Sequence, residues 1–318
     1  MRLPNTPHFR TLPVKRVVIF VGFSCMNDCR FCVAADKRAF PDKSTLEIKG
    51  ELLDAYKGGA RQVSFTGGEC TARKDIFDLV AFARAQGFTS VQIQTNGRAF
   101  ASIAFCKKML RSGMTVLNPA LHGHTATLHD DLTRSPGAFR QTVLGIHHMQ
   151  KLTGGKLLIS MNTVIVQQNY RHLPEIITFL LKFKVMHVQF AFVHAMGNAR
   201  KFGKEIVPRK TDVMPYLKRA LDIGRKRGVL VMAEAIPLCL MQGYEDCVSE
   251  FYIPTIEVRE RGFIIPRFED VRVNEAKVKF PSCRVCCSNG VCEGVWREYP
   301  EYYGSTEFKP LKSTKGFS

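Results

Sequence analysis

Strand-like and helix-like segments alternate along the first two-thirds of the chain at intervals of roughly 30 residues, and that rhythm leaves few folds open. Residues 17–23 form a continuous apolar run rich in valine and phenylalanine, which suits a strand buried in a parallel sheet. Ser44, Thr45, Leu46 and Glu47 spell a capping box that opens a helix bearing Ile48, Leu52, Leu53 and Tyr56. A short strand over 62–66 runs into Gly67-Gly68. A helix over 75–86 sets Ile76, Leu79, Val80 and Ala83 on one face. A strand over 90–95 ends at Asn96-Gly97 and precedes a helix over 99–111. Further strands are predicted over 115–122, 157–166 and 187–193. Helices are predicted over 138–152, along the stripe Leu173, Ile176, Ile177, Leu180 and Leu181, and over 210–227. These make six β–α units, and they imply a parallel sheet with helices outside it, either barrel-like or doubly wound.

In a barrel, chemistry gathers at the carboxyl ends of the strands. Those ends carry the chemically loaded residues here: a cysteine triplet after the first strand, Gly67-Gly68-Glu69 after the second and Asn96 after the third. His122 follows the fourth, and His194 and Asn198 follow the sixth. Past Arg227 the pattern changes. Pro237, Pro254, Pro266 and Pro281 interrupt the chain, and short strands are expected over 229–233 and 262–268. A small second domain is placed at 229–318, with a frayed Lys-, Ser- and Gly-rich tail from Pro310.

No apolar run approaches the ~20 residues that a membrane-spanning helix needs. The early apolar stretch is too short and too late for a secretory signal. The 46 Lys and Arg against 28 Asp and Glu give a net charge of +18. Such a surface attracts polyanions, among them nucleic acid, acidic leader peptides and phosphorylated molecules. Arg2, Arg10, Lys15 and Arg16 make an acid-free start, and Arg200, Lys201, Lys204, Arg209 and Lys210 form a second basic cluster. A solvated basic face accounts for both.

The 11 cysteines are an odd number in a long chain without a signal peptide, which argues against a disulfide framework and for a cytoplasmic protein. Their spacing argues for metal. Cys25, Cys29 and Cys32 form C-x3-C-x2-C, and Cys283, Cys286 and Cys292 form C-x2-C-x5-C. At this cysteine frequency an accidental triplet of fixed spacing is expected about 0.01 times per chain. Three thiolates on one loop can hold three irons of a cubane cluster and leave the fourth iron open to a small ligand. Zinc is the competing occupant, but structural zinc wants four ligands, and the first triplet has no fourth cysteine nearby. Cys106, within a predicted helix, reads as a buried small apolar residue. His122, His124 and His129 have no acidic partner at ligand spacing and read as loop histidines.

The run Cys25-Met26-Asn27-Asp28-Cys29-Arg30-Phe31-Cys32 resembles the signature loop of the radical S-adenosylmethionine (radical SAM) enzymes, including the aromatic residue before the third cysteine. Thr66-Gly67-Gly68-Glu69 resembles that family's Gly-Gly-Glu-Pro element, with Cys70 where the proline usually stands. The resemblance covers roughly residues 16–227. It implies an α/β fold, a partial (β/α)6 TIM-type barrel over residues 1–228, and a 4Fe-4S cluster on Cys25, Cys29 and Cys32 that binds SAM. Gly67, Gly68, Glu69 and Phe31 would position SAM, with Glu69 meeting its amino group. Asn96 is a further cofactor contact and Asn162 a ribose contact. Arg134 matches an arginine that pairs with the SAM carboxylate in some relatives; a surface ion pair is the alternative. Ala120 stands where relatives often carry a serine that also meets this carboxylate.

The second triplet resembles the core of the SPASM extension and its one-cluster form, Twitch. No cysteine follows Cys292, so one auxiliary 4Fe-4S cluster is expected within a small Cys-rich α+β domain over 229–318. Cys239 is the preferred fourth ligand, Cys247 the reserve, and an open iron the third option; zinc remains the rival metal. Trp296 and Tyr299 are expected to shield the cluster. The family's chemistry is reductive cleavage of SAM to a 5′-deoxyadenosyl radical that abstracts hydrogen from substrate. With an auxiliary cluster to accept an electron, a net oxidation or a peptide or small-molecule modification follows, powered by a low-potential donor such as ferredoxin or flavodoxin. The substrate is a peptide or a small phosphorylated molecule; with some 15 residues before the first strand, no peptide-docking wing is expected. A reading from another class, a non-catalytic iron–sulfur or zinc protein binding RNA, leaves the Gly-Gly-Glu turn without a purpose.

Overall fold

A computed structural model describes residues 15–312. Arg2 and Arg10 of the basic start lie outside the described residues, as does the chain beyond Lys312. The main sheet contains β1 (Arg16–Phe20), β2 (Gln62–Thr66), β3 (Ser90–Thr95), β4 (Val116–Pro119), β5 (Leu158–Ile165), β6 (His187–Phe192), β7 (Leu230–Glu234), β8 (Ile256–Glu260) and β9 (Phe263–Ile265). Their order is β7-β6-β5-β4-β3-β2-β1-β8-β9, parallel throughout except for the antiparallel β8–β9 hairpin. Between the strands run α1 (Thr45–Lys57), α2 (Ile76–Gln86), α3 (Ile103–Ser112), α4 (Ala126–Thr133), α5 (Ala138–Thr153), α6 (Leu173–Leu180), α7 (Asn198–Phe202) and α8 (Lys210–Lys226). This is the predicted run of six β–α units.

Local sequence explains the elements. The Ser44 hydroxyl accepts from the Glu47 amide at 3.1 Å, and the Glu47 carboxylate accepts from the Ser44 amide at 3.3 Å, so the capping box starts α1 as read. Each strand divides its side chains between two faces. One face is apolar: Val17, Ile19, Val63, Phe65, Val91 and Ile93 are buried with Ile48, Leu52, Leu79 and Val80 of the helices. The other is largely polar, with Gln62, Ser64, Gln94, Asn118, Ser160, Asn162 and Gln189. Where an interior of branched aliphatic side chains packs a barrel solid, this inner wall is suited to hold a polar ligand.

The chain after Arg227 does not all leave the barrel. β7 pairs with β6, and β8 lies parallel to β1 at the far side of the sheet. The sequence reading missed β8 because its alternation spans five residues flanked by irregular chain. The small lobe proper is built around the two-residue strands β10 (Lys277–Val278) and β11 (Val295–Trp296). It is fixed by charge. Arg272 forks onto Glu293 with two bonds of 2.8 Å, and the Lys277 ammonium reaches Glu293 at 2.8 Å and Glu250 at 2.6 Å. All four side chains are 6% exposed or less. Glu250 also accepts from the Ala235 amide at 2.8 Å, just past β7, so the network ties the lobe to the barrel. At the start of the tail the Leu311 amide donates to the Cys286 sulfur and its carbonyl accepts from the Cys287 amide, so residues 310–312 are held; the rest of the expected frayed tail lies outside the described residues.

Removing the shared carboxylate would strand two buried cations at once. Glu293→Ala is expected to lower the unfolding free energy by about 3–5 kcal/mol, read from the midpoint of a urea denaturation curve.

Candidate active site

The cysteine loop leaves β1 alongside the end of β2, and the two backbones continue as if the sheet went on. The Val21 amide donates to the Thr66 carbonyl at 3.0 Å, the Gly68 amide to Gly22 at 2.9 Å and the Glu69 amide to Ser24 at 2.8 Å. Glycine is required at this seam. A Cβ on Gly67 would stand 2.1 Å from the Gly22 carbonyl oxygen, and one on Gly68 would stand 2.4 Å from those of Phe23 and Ser24. Gly67 also has φ +134°. Cys70 fits where a proline was anticipated: it is buried, opens a short 3-10 turn, and donates its thiol to the Gln94 carbonyl at 3.3 Å.

Cys25, Cys29 and Cys32 line one cavity together with Gly68, Glu69, Asn96 and Asn162. The Asn27 amide donates to the Cys25 sulfur at 3.4 Å. Asn198, the first residue of α7, clamps the loop from outside. Its amide donates to the Cys32 carbonyl and its side chain to the Cys29 carbonyl, each at 2.9 Å. Burial pushes the Cys29 thiol well above its usual range, and the neighbouring Cys32 and Cys25 thiols push it further. Such a cluster of thiols ionises readily only around a cation. Among the described residues no three His, Cys, Asp or Glu side chains surround a point that would hold a single ion. Three thiols lining one cavity can each take a separate iron of a cluster.

The Glu69 carboxylate is fixed by four donors. One oxygen accepts from the Thr71 amide (3.0 Å), the Thr71 hydroxyl (2.6 Å) and the Thr95 hydroxyl (2.7 Å), and the other from the Asn96 amide (2.6 Å). Burial raises its pKa, and these hydrogen bonds oppose the rise. The oxygen holding a single bond keeps room to accept from a ligand. Phe31 sits edge-on to the His122 ring at 4.6 Å. His122 accepts from the Val164 amide through Nδ1, and His129 accepts from the His122 amide. Burial lowers both imidazoles, His129 to about 4, so both are neutral supports of the cavity wall.

Arg134 is placed elsewhere. It ends α4 in a left-handed conformation (φ 50°), and its half-exposed side chain pairs with Asp28 at 3.1 Å, outside the thiol cavity. The guanidinium that does line the cavity is Arg38, held by Asp28 at 3.2 Å and the Asn27 carbonyl at 2.7 Å. No spacing rule pointed to it, since it lies beyond the cysteine motif in an irregular segment. Asn118 and Gln94 line the same cavity and were legible only as inward positions of strands.

A second cavity gathers Cys239, Cys283, Cys286 and Cys292, walled by Phe280 and Phe308. Burial, then the Cys292, Cys283 and Cys286 thiols, push Cys239 up to about 12. Cys247 is buried elsewhere, beside Asp246 and Arg225, and Cys287 is exposed. Trp296 and Tyr299 do not line this cavity. Trp296 stacks on His194 at 4.1 Å, and Tyr299 packs on Phe192, so both join the lobe to the barrel.

The model of the Radical SAM superfamily matches residues 19–180. The chain belongs to this superfamily. Its members use a 4Fe-4S cluster and SAM, and the thiol cavity with its Gly-Gly-Glu wall has the donors that pair requires. Fe-coproporphyrin III synthase of Methanosarcina barkeri is 30% identical over 183 residues, covering 57% of this chain and 44% of that protein. PqqA peptide cyclase of Rhodopseudomonas palustris is 27% identical over 257 residues, covering 79% of this chain and 66% of that protein. Streptococcus suis SuiB bound to S-adenosylmethionine shares the fold, with a TM-score of 0.66 at 17% identity over 88% of this chain and 72% of that one. The chain spans about half the length of the curated relatives it matches first. No helix among the described residues is long and apolar enough to cross a membrane.

The seam predicts a sharp phenotype for a single methyl group. Gly68→Ala is expected to weaken SAM binding to the reconstituted radical SAM protein by about tenfold or more, measured by equilibrium dialysis.

Proposed function

We propose that this chain holds a 4Fe-4S cluster on Cys25, Cys29 and Cys32 and a second, auxiliary 4Fe-4S cluster on Cys239, Cys283, Cys286 and Cys292. SAM held beside the first cluster would supply, on one-electron reduction by a low-potential donor, the 5′-deoxyadenosyl radical chemistry that abstracts hydrogen from a substrate. The observation that carries this reading is one cavity shared by three thiols, the Gly68 backbone and a fixed Glu69 carboxylate. Glu69 receives the amino group of SAM through its less occupied oxygen, while Gly67 and Gly68 bring backbone against the ligand. Asn96 and Asn162 hydrogen-bond polar atoms of the cofactor, and Phe31 walls the loop. Arg38 and Arg134 both pair with Asp28, but only Arg38 lines the thiol cavity, so Arg38 is the better candidate for the SAM carboxylate.

Four cysteines on one small cavity favour an auxiliary cluster whose irons all have protein ligands, with Cys239 rather than Cys247 as the fourth. A saturated cluster suits passage of an electron better than binding of substrate. A net oxidation, hence an oxidoreductase-type enzyme served by a low-potential donor such as ferredoxin or flavodoxin, is the outcome this arrangement serves. A peptide is the favoured substrate, since the PqqA peptide cyclase likeness extends over 79% of the chain.

Anaerobically reconstituted protein is expected to carry about eight irons and to form 5′-deoxyadenosine from SAM on reduction with dithionite. Cys29→Ala should retain about four irons and form none. Cys239→Ala should lose iron from the auxiliary site, whereas Cys247→Ala should not. Deoxyadenosine formation by Cys29→Ala would sink the assignment.

A further inference from the structure

A non-glycine residue with positive φ marks backbone that its surroundings hold in place. Among the described residues there are two, Arg134 and Ala235. Arg134 closes α4, where a left-handed residue is usual. Ala235 (φ 61°) has no such setting. It follows Glu234 at the end of β7, is fully buried, and carries a Cβ that crowds its own carbonyl in this conformation.

Both backbone polar groups of Ala235 are taken by buried side chains. Its amide donates to Glu250 at 2.8 Å, and its carbonyl accepts from the Lys210 Nζ at 2.8 Å. The two partners come from different parts of the fold. Glu250 is held by Lys277 of the lobe at 2.6 Å, whereas Lys210 is the first residue of α8 in the barrel. Lys210 has no exposed surface. Its Nζ lies 3.1 Å from the centre of the Phe192 ring, and its amide donates to the Tyr299 hydroxyl at 2.8 Å. Burial lowers its pKa, yet an amine donates N–H with or without its extra proton, so the bond to Ala235 does not depend on that charge.

The turn that Ala235 opens leads to the auxiliary cavity. Pro237, Leu238 and Cys239 line that cavity, and the Leu238 backbone hydrogen-bonds Cys292. Cys283, Cys286 and Cys292 come from the lobe, whereas Cys239 arrives from the barrel strand β7. Were Ala235 to relax to negative φ, the chain would leave β7 on another course, and Cys239 with it.

We propose that Lys210 is a positioning residue for the auxiliary cluster: with Glu250 it locks Ala235 in its left-handed conformation and so holds Cys239 facing the three thiols of the lobe. This rests on Cys239 being the fourth ligand. It ties completion of the ligand set to docking of the lobe on the barrel, since Lys210 stands in the barrel and Glu250 is held by the lobe.

The test is iron content and electron paramagnetic resonance of the reconstituted full chain, in which the signal that SAM leaves unchanged reports the auxiliary cluster. Lys210→Met removes the donor and keeps an apolar stem. It is expected to lose about half or more of that signal and to fall from about eight irons towards about four, while still binding SAM in equilibrium dialysis. Glycine adopts the left-handed conformation without the Cβ penalty. Ala235→Gly alone is therefore expected to keep the signal, and Lys210→Met combined with Ala235→Gly to recover it. Mere loss of packing around Lys210 would not be rescued at position 235. A full signal in Lys210→Met, or a double variant no better than Lys210→Met, would overturn the proposal. If Lys210→Met fails to fold, judged by its circular dichroism melt, Ala235→Val, whose branched side chain disfavours this φ, carries the same expectation, and a full signal there overturns it equally. Cys239→Ala separates the two readings. If it keeps the auxiliary signal, the fourth-ligand assignment falls; if it loses the signal and Lys210→Met does not, this proposal alone falls.

Discussion

The site depends on two backbones running side by side past the ends of β1 and β2. Three amide-to-carbonyl bonds between residues 21–24 and 66–69 carry the sheet's register into the loop that bears Cys25. A backbone hydrogen bond contributes only about 1 kcal/mol net to stability. The weight of this seam lies in position, because it sets the thiols and the Glu69 carboxylate against the same rigid frame. A loop free to choose its own path would leave three thiols and a carboxylate mutually mobile. Here the relation is inherited from strand pairing, then tightened by Asn198 on the Cys29 and Cys32 carbonyls.

Electrostatics gives the frame its purpose. The Cys29 thiol, buried and crowded by its neighbours, resists ionisation. The adjacent His122 and His129 are neutral, and Arg38 is already engaged with Asp28. The cavity therefore has thiols, a carboxylate and little positive charge of its own. Iron would displace the thiol protons, and a sulfonium-bearing ligand with an ammonium would complete the balance. The same logic holds in the small lobe, where Cys239 is pushed up by the three thiols it faces.

Much of this was legible because it was local or periodic. The Cys25, Cys29 and Cys32 spacing, the Gly67-Gly68 pair and the α1 capping box are read within a few residues of sequence, and the six β–α units follow from apolar rhythm. What sequence could not supply was long-range. β8 sits beside β1 across some 240 residues of chain, and nothing in its five residues names that neighbour. Arg134 was matched by motif position. The left-handed residue that closes α4, together with the nearby Asp28 carboxylate, turns its side chain away, while Arg38 enters the cavity from a segment without periodicity. Trp296 and Tyr299 lie close to Cys292 in sequence, yet their rings pack against His194 and Phe192 of the barrel.

That last displacement bears on how the lobes work together. Trp296 lies four residues past Cys292, and His194 four before the Asn198 that clamps Cys29 and Cys32. Their rings stack at 4.1 Å, and Glu298 holds the imidazole at 3.0 Å. The Trp296 nitrogen donates to the Phe192 carbonyl at the end of β6. The two cysteine sets are thus joined by a short, buried, hydrogen-bonded path rather than by a flexible linker. The stacked rings and the hydrogen bonds at either side relate the two cysteine sets through folded structure, so any electron passed between them would cross a span set by the fold.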